Sequence, residues 1–312
     1  AQLVAVNVGT AKIAANGITG AVALDANGGG IDAAVVTSLL GKTDAGAVVT
    51  VAADGTVNTA VLEALSGSIA KVDNITGLTL TTAQLTAEIG NLLGKATDAL
   101  VTATGMNAAD LMAVADNISG VQADGVTGAF TVTSALSAAQ IDALLGKTAA
   151  GATVTITATG MSAAQLSAVE DNMTKVDDID SISITSSQSA AEITALTAEA
   201  DDNAALVDAS GMSAAQITAV NGARAKINAS GLTDLTLTSS QTAAEIGTLL
   251  VAGAVANTSV SVNANSMSTA QLVAVNVGTA KIAANGITGA VALNANGTNI
   301  DEVVITSLLG KT

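Results

Sequence analysis

The ten residues GMSAAQLSAV at 160–169 return in close variants at 105–114 (GMNAADLMAV), 211–220 (GMSAAQITAV) and 266–275 (SMSTAQLVAV). The apolar residue that closes each helix-start motif belongs to a regular series, Leu3, Leu62, Leu111, Leu166, Ile217 and Leu272, spaced about 54 residues apart. A second series, Val36, Ile89, Ile141, Ile193, Ile246 and Ile305, interleaves with it, so the half-period is about 27 residues. A period of that size constrains the fold more than any local propensity does. Each unit is too small to bury its own apolar face and must stack on its neighbours.

Each half-unit opens with a short alternating segment. Examples are TVTITATG (153–160), SVSVNANS (259–266) and ALVTATG (99–105) in the first kind of unit, and GLTLTT (77–82), SISITSS (181–187) and DLTLTSS (234–240) in the second. Alternation of Val, Ile or Leu with Thr or Ser predicts a strand with one buried face and one hydroxyl-rich face. The repeated decapeptide then starts a helix. Ser162 is placed at the N-cap with Gln165 completing a capping box, and Met161 and Leu166 stand at the two ends of a hydrophobic staple. Ser213/Gln216, Ser268/Gln271, Ser137/Gln140, Ser189/Glu192 and Thr242/Glu245 repeat the box, with Asn107/Asp110 as a variant. Leu166, Val169, Met173 and Val176 predict a helix of about four turns. LLGKT at 39–43, 144–148 and 308–312 and LLGKA at 92–96 predict the helix ends, with glycine as a left-handed C-cap and lysine against the negative end of its own helix dipole.

Strand, capped helix and strand again predict an α/β chain. The expected form is a right-handed, horseshoe-like βα solenoid of about 27-residue half-repeats, with a parallel sheet on one side and helices on the other. Residues 1–43 return at 270–312, differing only at positions 25, 29, 30, 33, 34 and 36 of the first copy. The expectation is one repeat array over 1–312, a segment of a longer tandem array whose first residue falls inside a motif. The arrangement resembles the leucine-rich-repeat horseshoes that alternate two kinds of unit, although Thr, Ser or Gln stands where that family has an asparagine after the strand. In its Ala, Thr, Val and Gly content and its freedom from Cys, the chain also resembles the repeat regions of giant bacterial surface-layer and adhesin proteins.

Composition narrows the functions. The chain has no Pro, Cys, His, Trp or Tyr, and its single aromatic is Phe130. A core made of Val, Ile, Leu, Met and Ala buries little area per residue and favours many thin layers. With 10 basic against 26 acidic residues, nucleic acid and anionic membrane surfaces are poor partners. No apolar run reaches the roughly 18 residues of a membrane-spanning helix, so membrane insertion is not expected.

Few residues offer chemistry. GKT is not read as a phosphate-binding loop, because Val36, Ile141 and Ile305 occupy the place of the required earlier glycine and the tripeptide ends a helix. Catalysis is not expected, since no His, Cys or Tyr is present to activate the Ser, Thr, Asp, Glu and Lys side chains. No cofactor is expected; calcium is the one ion worth weighing, because hard oxygen donors are abundant. Its candidates are Asp25, Asn27 and Asp32; Asp177, Asp178 and Asp180; and Asp201 and Asp202 with Asn203. None fits the EF-hand loop or the glycine-rich nonapeptide, the clusters do not recur at equivalent positions, and no ordered site is expected from them. Thr79, Thr81, Thr131, Thr133, Thr155, Thr157, Thr236 and Thr238 are expected on the open strand face, where a regular ladder would suit ice.

The function expected from these features is structural. The chain would belong to an extracellular or cell-surface layer, sheath, fibre or adhesin stalk that self-associates head-to-tail or laterally. The alternatives are a module binding glycan or protein through the Thr/Ser face and, behind it, an ice-binding surface.

Overall fold

The computed structural model describes residues 12–27, 31–55, 57–251, 260–292 and 302–312. The opening motif around Leu3 and the strand residue Ser259 lie outside the described residues. The chain is α/β, with short parallel strands alternating with helices, and it divides into two compact units at 155/156.

In the first unit lie strands β1 (Ala21–Asp25), β2 (Val48–Ala52), β3 (Asn74–Thr76), β4 (Thr79–Leu80), β5 (Ala99–Thr102), β6 (Val121–Thr127) and β7 (Ala129–Thr133). Helices α1 (Ala33–Lys42), α2 (Thr59–Gly67), α3 (Thr86–Leu93), α4 (Ala108–Asp116) and α5 (Ala138–Gly146) alternate with them. Strand β8 (Thr153–Thr157) spans the division between units. The second unit holds α6 (Ala163–Asp171), β9 (Asp178–Ile184), α7 (Ala190–Ala198), β10 (Ala205–Asp208), α8 (Ala214–Gly222), β11 (Ile227–Thr233) and β12 (Leu235–Leu237). It continues through α9 (Ala243–Val251), β13 (Val260–Asn263), α10 (Thr269–Val277), β14 (Ile282–Thr288) and α11 (Glu302–Leu309).

The strands stack so that like packs on like. In the ladder β1–β2–β3, Leu24 stands beside Val51 and Val51 beside Ile75, and all three are buried. Leu80, Val101 and Val126 repeat the pattern in β4–β5–β6, as do Leu237, Val262 and Ile287 in β12–β13–β14. Each helix lays two to four side chains on this column, such as Val35, Val36, Leu39 and Leu40 in α1. The lone aromatic, Phe130, is buried with the aliphatic core.

The sheet is not continuous, which corrects the expectation of one sheet. Three-stranded sheets form separately in β1–β2–β3, β4–β5–β6 and β12–β13–β14. The cause is a left-handed residue in the middle of the second kind of strand: Gly77 at φ 67°, Gly128 at φ 83° and Asp234 at φ 51°. At such a residue the chain turns out of one ladder and begins the next. A Cβ at Gly77 would come within 2.5 Å of Asp54 Cα, so the corner is also a close approach of two coils. Ser181 takes the same place in β9 without a positive φ, and β9 runs unbroken from Asp178 to Ile184.

Every predicted capping box among the described residues forms. The Ser162 N–H donates to Gln165 Oε1 at 2.8 Å, and the Gln165 N–H donates back to Ser162 Oγ at 3.3 Å. Boxes at Asn107/Asp110, Ser137/Gln140, Ser189/Glu192, Ser213/Gln216, Thr242/Glu245 and Ser268/Gln271 follow the same pattern. The staple residues Met161 and Leu166 are both buried. At Leu85 only half a box exists: Glu88 accepts from the Leu85 N–H at 2.8 Å, and leucine has no acceptor to return.

The helices are shorter than predicted. That of the decapeptide ends at Asp171; Met173–Lys175 form a single 3-10 turn and Val176 is already extended. The glycine C-caps are also corrected, because Gly41 and Gly146 lie inside their helices and Gly94 keeps a right-handed φ of −61°. The chain has left the helix by the threonine two residues on, which at Thr43 is already extended with φ −78° and ψ 135°. Thr43 and Thr148 are fully buried, and each hydroxyl donates to the carbonyl four residues back at 2.9 Å. Each then forms a parallel bridge to the neighbouring coil, at Ile18 and Val126.

Replacing Ser162 by Ala is expected to lower stability by about 1 kcal/mol, and Leu166→Ala by about 2–5 kcal/mol. Denaturant midpoints at constant slope check both; unmoved midpoints would refute the helix-start assignment.

Candidate functional site

The polar side chains most firmly held are those between coils. Gln216 caps its own helix through Oε1, while its Nε2 donates to the carbonyls of Ser186 and Gln188 in the coil before. Gln271 does the same toward Ser239 and Gln241. Lysines reach back as well: Lys71 Nζ donates to the Thr43 carbonyl at 2.8 Å, Lys147 to Val121 at 2.9 Å and Lys311 to Ile282 at 2.9 Å. The GKT lysines Lys147 and Lys311 thus bond a preceding coil, where the sequence predicted a role at their own helix ends, and Lys71, outside that motif, does the same. Gln84, Gln188 and Gln241 are buried and accept the N–H groups of Thr81, Thr185 and Thr238 at 2.8–2.9 Å. Sequence reasoning missed these glutamines. The signal was their recurrence at the position held elsewhere by the buried Met161 or Leu136.

The calcium candidates separate. Asp32 is an N-cap, accepting from the Val35 N–H at 2.8 Å. Asn27 is tied to Asp54 and to the Gly55 N–H, and Asp25 accepts from the Asn27 N–H at 3.0 Å; residues 28–30, between Asn27 and Asp32, lie outside the described residues. Asp202 pairs with Lys226 at 3.2 Å. Asp177, also among the candidates, precedes β9.

Asp178, Asp180 and Asp201 do come together, with one carboxylate oxygen of each lying within 4.8 Å of the others. Strand periodicity puts Asp178 and Asp180 on either side of the buried Ile179, and the parallel bridge from Ile179 to Ala200 delivers Asp201 beside them. Partial burial, then the charges of Asp201 and Asp180, hold the Asp178 carboxyl above its ordinary range. Asp180 and Asp201 are exposed. Three carboxylates can attract a hard cation, but calcium takes roughly six to eight oxygens, and water would have to supply many of them.

The open strand face carries the predicted threonines, but not as an unbroken row. In register, Thr79 stands beside Leu100 and Ser183 beside Leu206, and both leucines are exposed. Thr81, Thr133 and Thr238 use their hydroxyls in turns, accepting from Ala83, Ala135 and Ser240 N–H groups at 3.1–3.3 Å. In the second unit this face has a shallow groove of about 270 Å³, lined by Ser183, Thr185, Leu206, Asp208 and Thr233 among others. Compared with known proteins, the chain matches no family model and no curated protein.

Two opposite pH effects are expected. A raised folded pKa at Asp178 gives stability that is present below the unfolded carboxyl pKa and lost as pH rises through the folded value. The Glu192 and Glu245 carboxyls are held low, first by the N–H groups of Ser189 and Thr242 at their N-caps, so their stability is lost as pH falls through the folded value. Asp178→Asn should therefore raise the melting temperature at about pH 7 and change it little near pH 3. Glu192→Gln should lower it at about pH 7 and change it little near pH 3. Thermal melts across this range check both, and a chelator is expected to leave the wild-type melt unchanged.

Proposed function

We propose that this chain is a structural element of a longer repeat array, a right-handed βα solenoid that stacks and self-associates outside the cell in a surface layer, sheath, fibre or adhesin stalk. One observation carries the reading. Glutamine and lysine side chains, the groups best able to reach a ligand, are tied instead to the preceding coil at Gln216, Gln271, Lys71, Lys147 and Lys311. Such bonds stiffen a stack of thin coils and leave little chemistry for a substrate. The surplus of acidic residues keeps the surface solvated. The reading includes neither catalysis nor nucleic acid. Among the described residues, no helix is long and apolar enough to cross a membrane.

A second reading is favoured by the groove beside Leu206: a glycan- or protein-binding module using the strand face. Exposed aliphatic carbon flanked by Asp208, Ser183 and Thr185 offers both contact types that a sugar uses.

Electron microscopy of the purified chain distinguishes the two. Filaments or lattices are expected; isolated particles that bind glycans on an array, and lose that binding in Leu206→Asp, would favour the module.

A further inference from the structure

The shallow groove beside Leu206 is one instance of a recurring construction. Between β10 and β11 the register jumps: Ala205 stands beside Ile227, and Val207 stands beside Leu232. Leu206 therefore has no register partner on β11, because residues 228–231 bulge out of the ladder. The same jump separates the pairs Ala99/Val121 and Val101/Val126, and the pairs Val260/Ile282 and Val262/Ile287. Each bulge closes on a glycine whose Cβ would meet a backbone carbonyl, at 2.8 Å for Gly125 and Gly286 and at 2.9 Å for Gly231. Beyond each glycine a threonine hydroxyl donates to the strand before, Thr127 to the Val101 carbonyl, Thr233 to Val207 and Thr288 to Val262, at 3.3–3.4 Å.

The three sites share a backbone and differ in the side chains they present. Leu100 and Leu206 stand exposed in the first two, and Ser261 takes that place in the third. Two residues further on come Thr102, Asp208 and Asn263. Only the site at Leu206 thus combines an exposed leucine with a carboxylate on the same strand face. Asp208 lines the groove, and its Oδ1 accepts from the Ser210 N–H at 2.9 Å. Among the described residues lining the groove, none is basic and none is aromatic.

That chemistry selects an occupant. An anion would be repelled by Asp208 and by a chain of net charge −16. A sugar ring would lack the flat aromatic platform against which its C–H face packs best. A lysine side chain suits both features, since its methylene stem lies along apolar surface while its ammonium reaches an acceptor. We infer that the groove beside Leu206 seats a lysine side chain from a basic partner segment, with the stem over Leu206 and the ammonium on Asp208. The inference rests on the reading of this strand face as a binding module and commits it to a protein partner of positive charge. The Leu100 groove, with Thr102 in place of the carboxylate, is the weaker of the two.

Binding of fluorescein-labelled hexalysine to the full chain, read by fluorescence anisotropy, tests this. Leu206→Ser and Asp208→Asn place at this site the residues that the fold already holds at Ser261 and Asn263. Asn263 also keeps the local turn, its Oδ1 accepting from the Asn265 N–H at 3.1 Å, so unchanged thermal melts are expected. Each variant should weaken hexalysine binding about tenfold. Glu63→Gln, which removes an exposed carboxylate on α2, should change it by less than about twofold. Hexalysine acetylated at every side-chain amine keeps the stem, loses the charge and should not bind. Equal losses in Asp208→Asn and Glu63→Gln would mean attraction to overall charge, and full binding in Leu206→Ser would mean that the stem has no seat there; either overturns the lysine site. A chain that binds glycans through Leu206 but does not bind hexalysine overturns the lysine site and leaves the module reading standing. A chain that binds neither hexalysine nor any glycan on the array overturns both.

Discussion

The stacking of aliphatic side chains from one coil onto the next is the constraint on which the rest of the structure depends. A single coil holds a short strand and a helix of eight to ten residues, such as α3 or α1. Its helix buries residues such as Ile89, Leu92 and Leu93 and its strand segment adds Leu78 and Leu80, far too little to offset the entropy of ordering about 27 residues. Only when Leu24 lies on Val51 and Val51 on Ile75 does a continuous column exclude water. With one aromatic in 312 residues, no unit can supply a thick core of its own.

The polar network follows from that constraint. A thin coil leaves its strand-to-helix turn near the surface, where the free N–H groups at the helix start need acceptors. The capping box supplies them, and in Gln216 and Gln271 the same side chain also satisfies carbonyls of the coil before. The box therefore does two jobs, starting a helix and spacing it against its neighbour. Charge plays a smaller part. Asp178, Asp180 and Asp201 gather because strand register brings them together, and the cost appears as an Asp178 carboxyl held above its ordinary pKa by desolvation and by the charges of Asp201 and Asp180.

Most of the local structure and little of the candidate site were legible in the chain. The boxes and staples were readable because Ser, Gln and the flanking apolar residues act within six positions of one another. The metal candidates were readable as clusters of acids, but which acids meet was not. Asp201 reaches Asp178 and Asp180 only through the bridge of Ile179 to Ala200, while its sequence neighbour Asp202 turns to Lys226. The helix ends were misread because LLG followed by lysine looks like a glycine cap. The helices give way where Thr43 and Thr148 bridge the neighbouring coil, and their hydroxyls, buried by that coil, are satisfied by the carbonyls of Leu39 and Leu144.

The sequence by itself determined the period, the alternation of strand and helix, the helix starts and the inward face of each strand. These depend on spacing and on contacts close along the chain. Tertiary structure alone decided that the sheet would be interrupted at Gly77, Gly128 and Asp234 but not at Ser181, since all four read as turn-tolerant residues and only the packing of adjacent coils selects the sign of φ. It also decided that Lys71, Lys147 and Lys311 would bond the coil before. A lysine finds whichever carbonyl lies within reach, and that carbonyl belongs to residues some 26 to 29 positions away, brought near only when the coils stack.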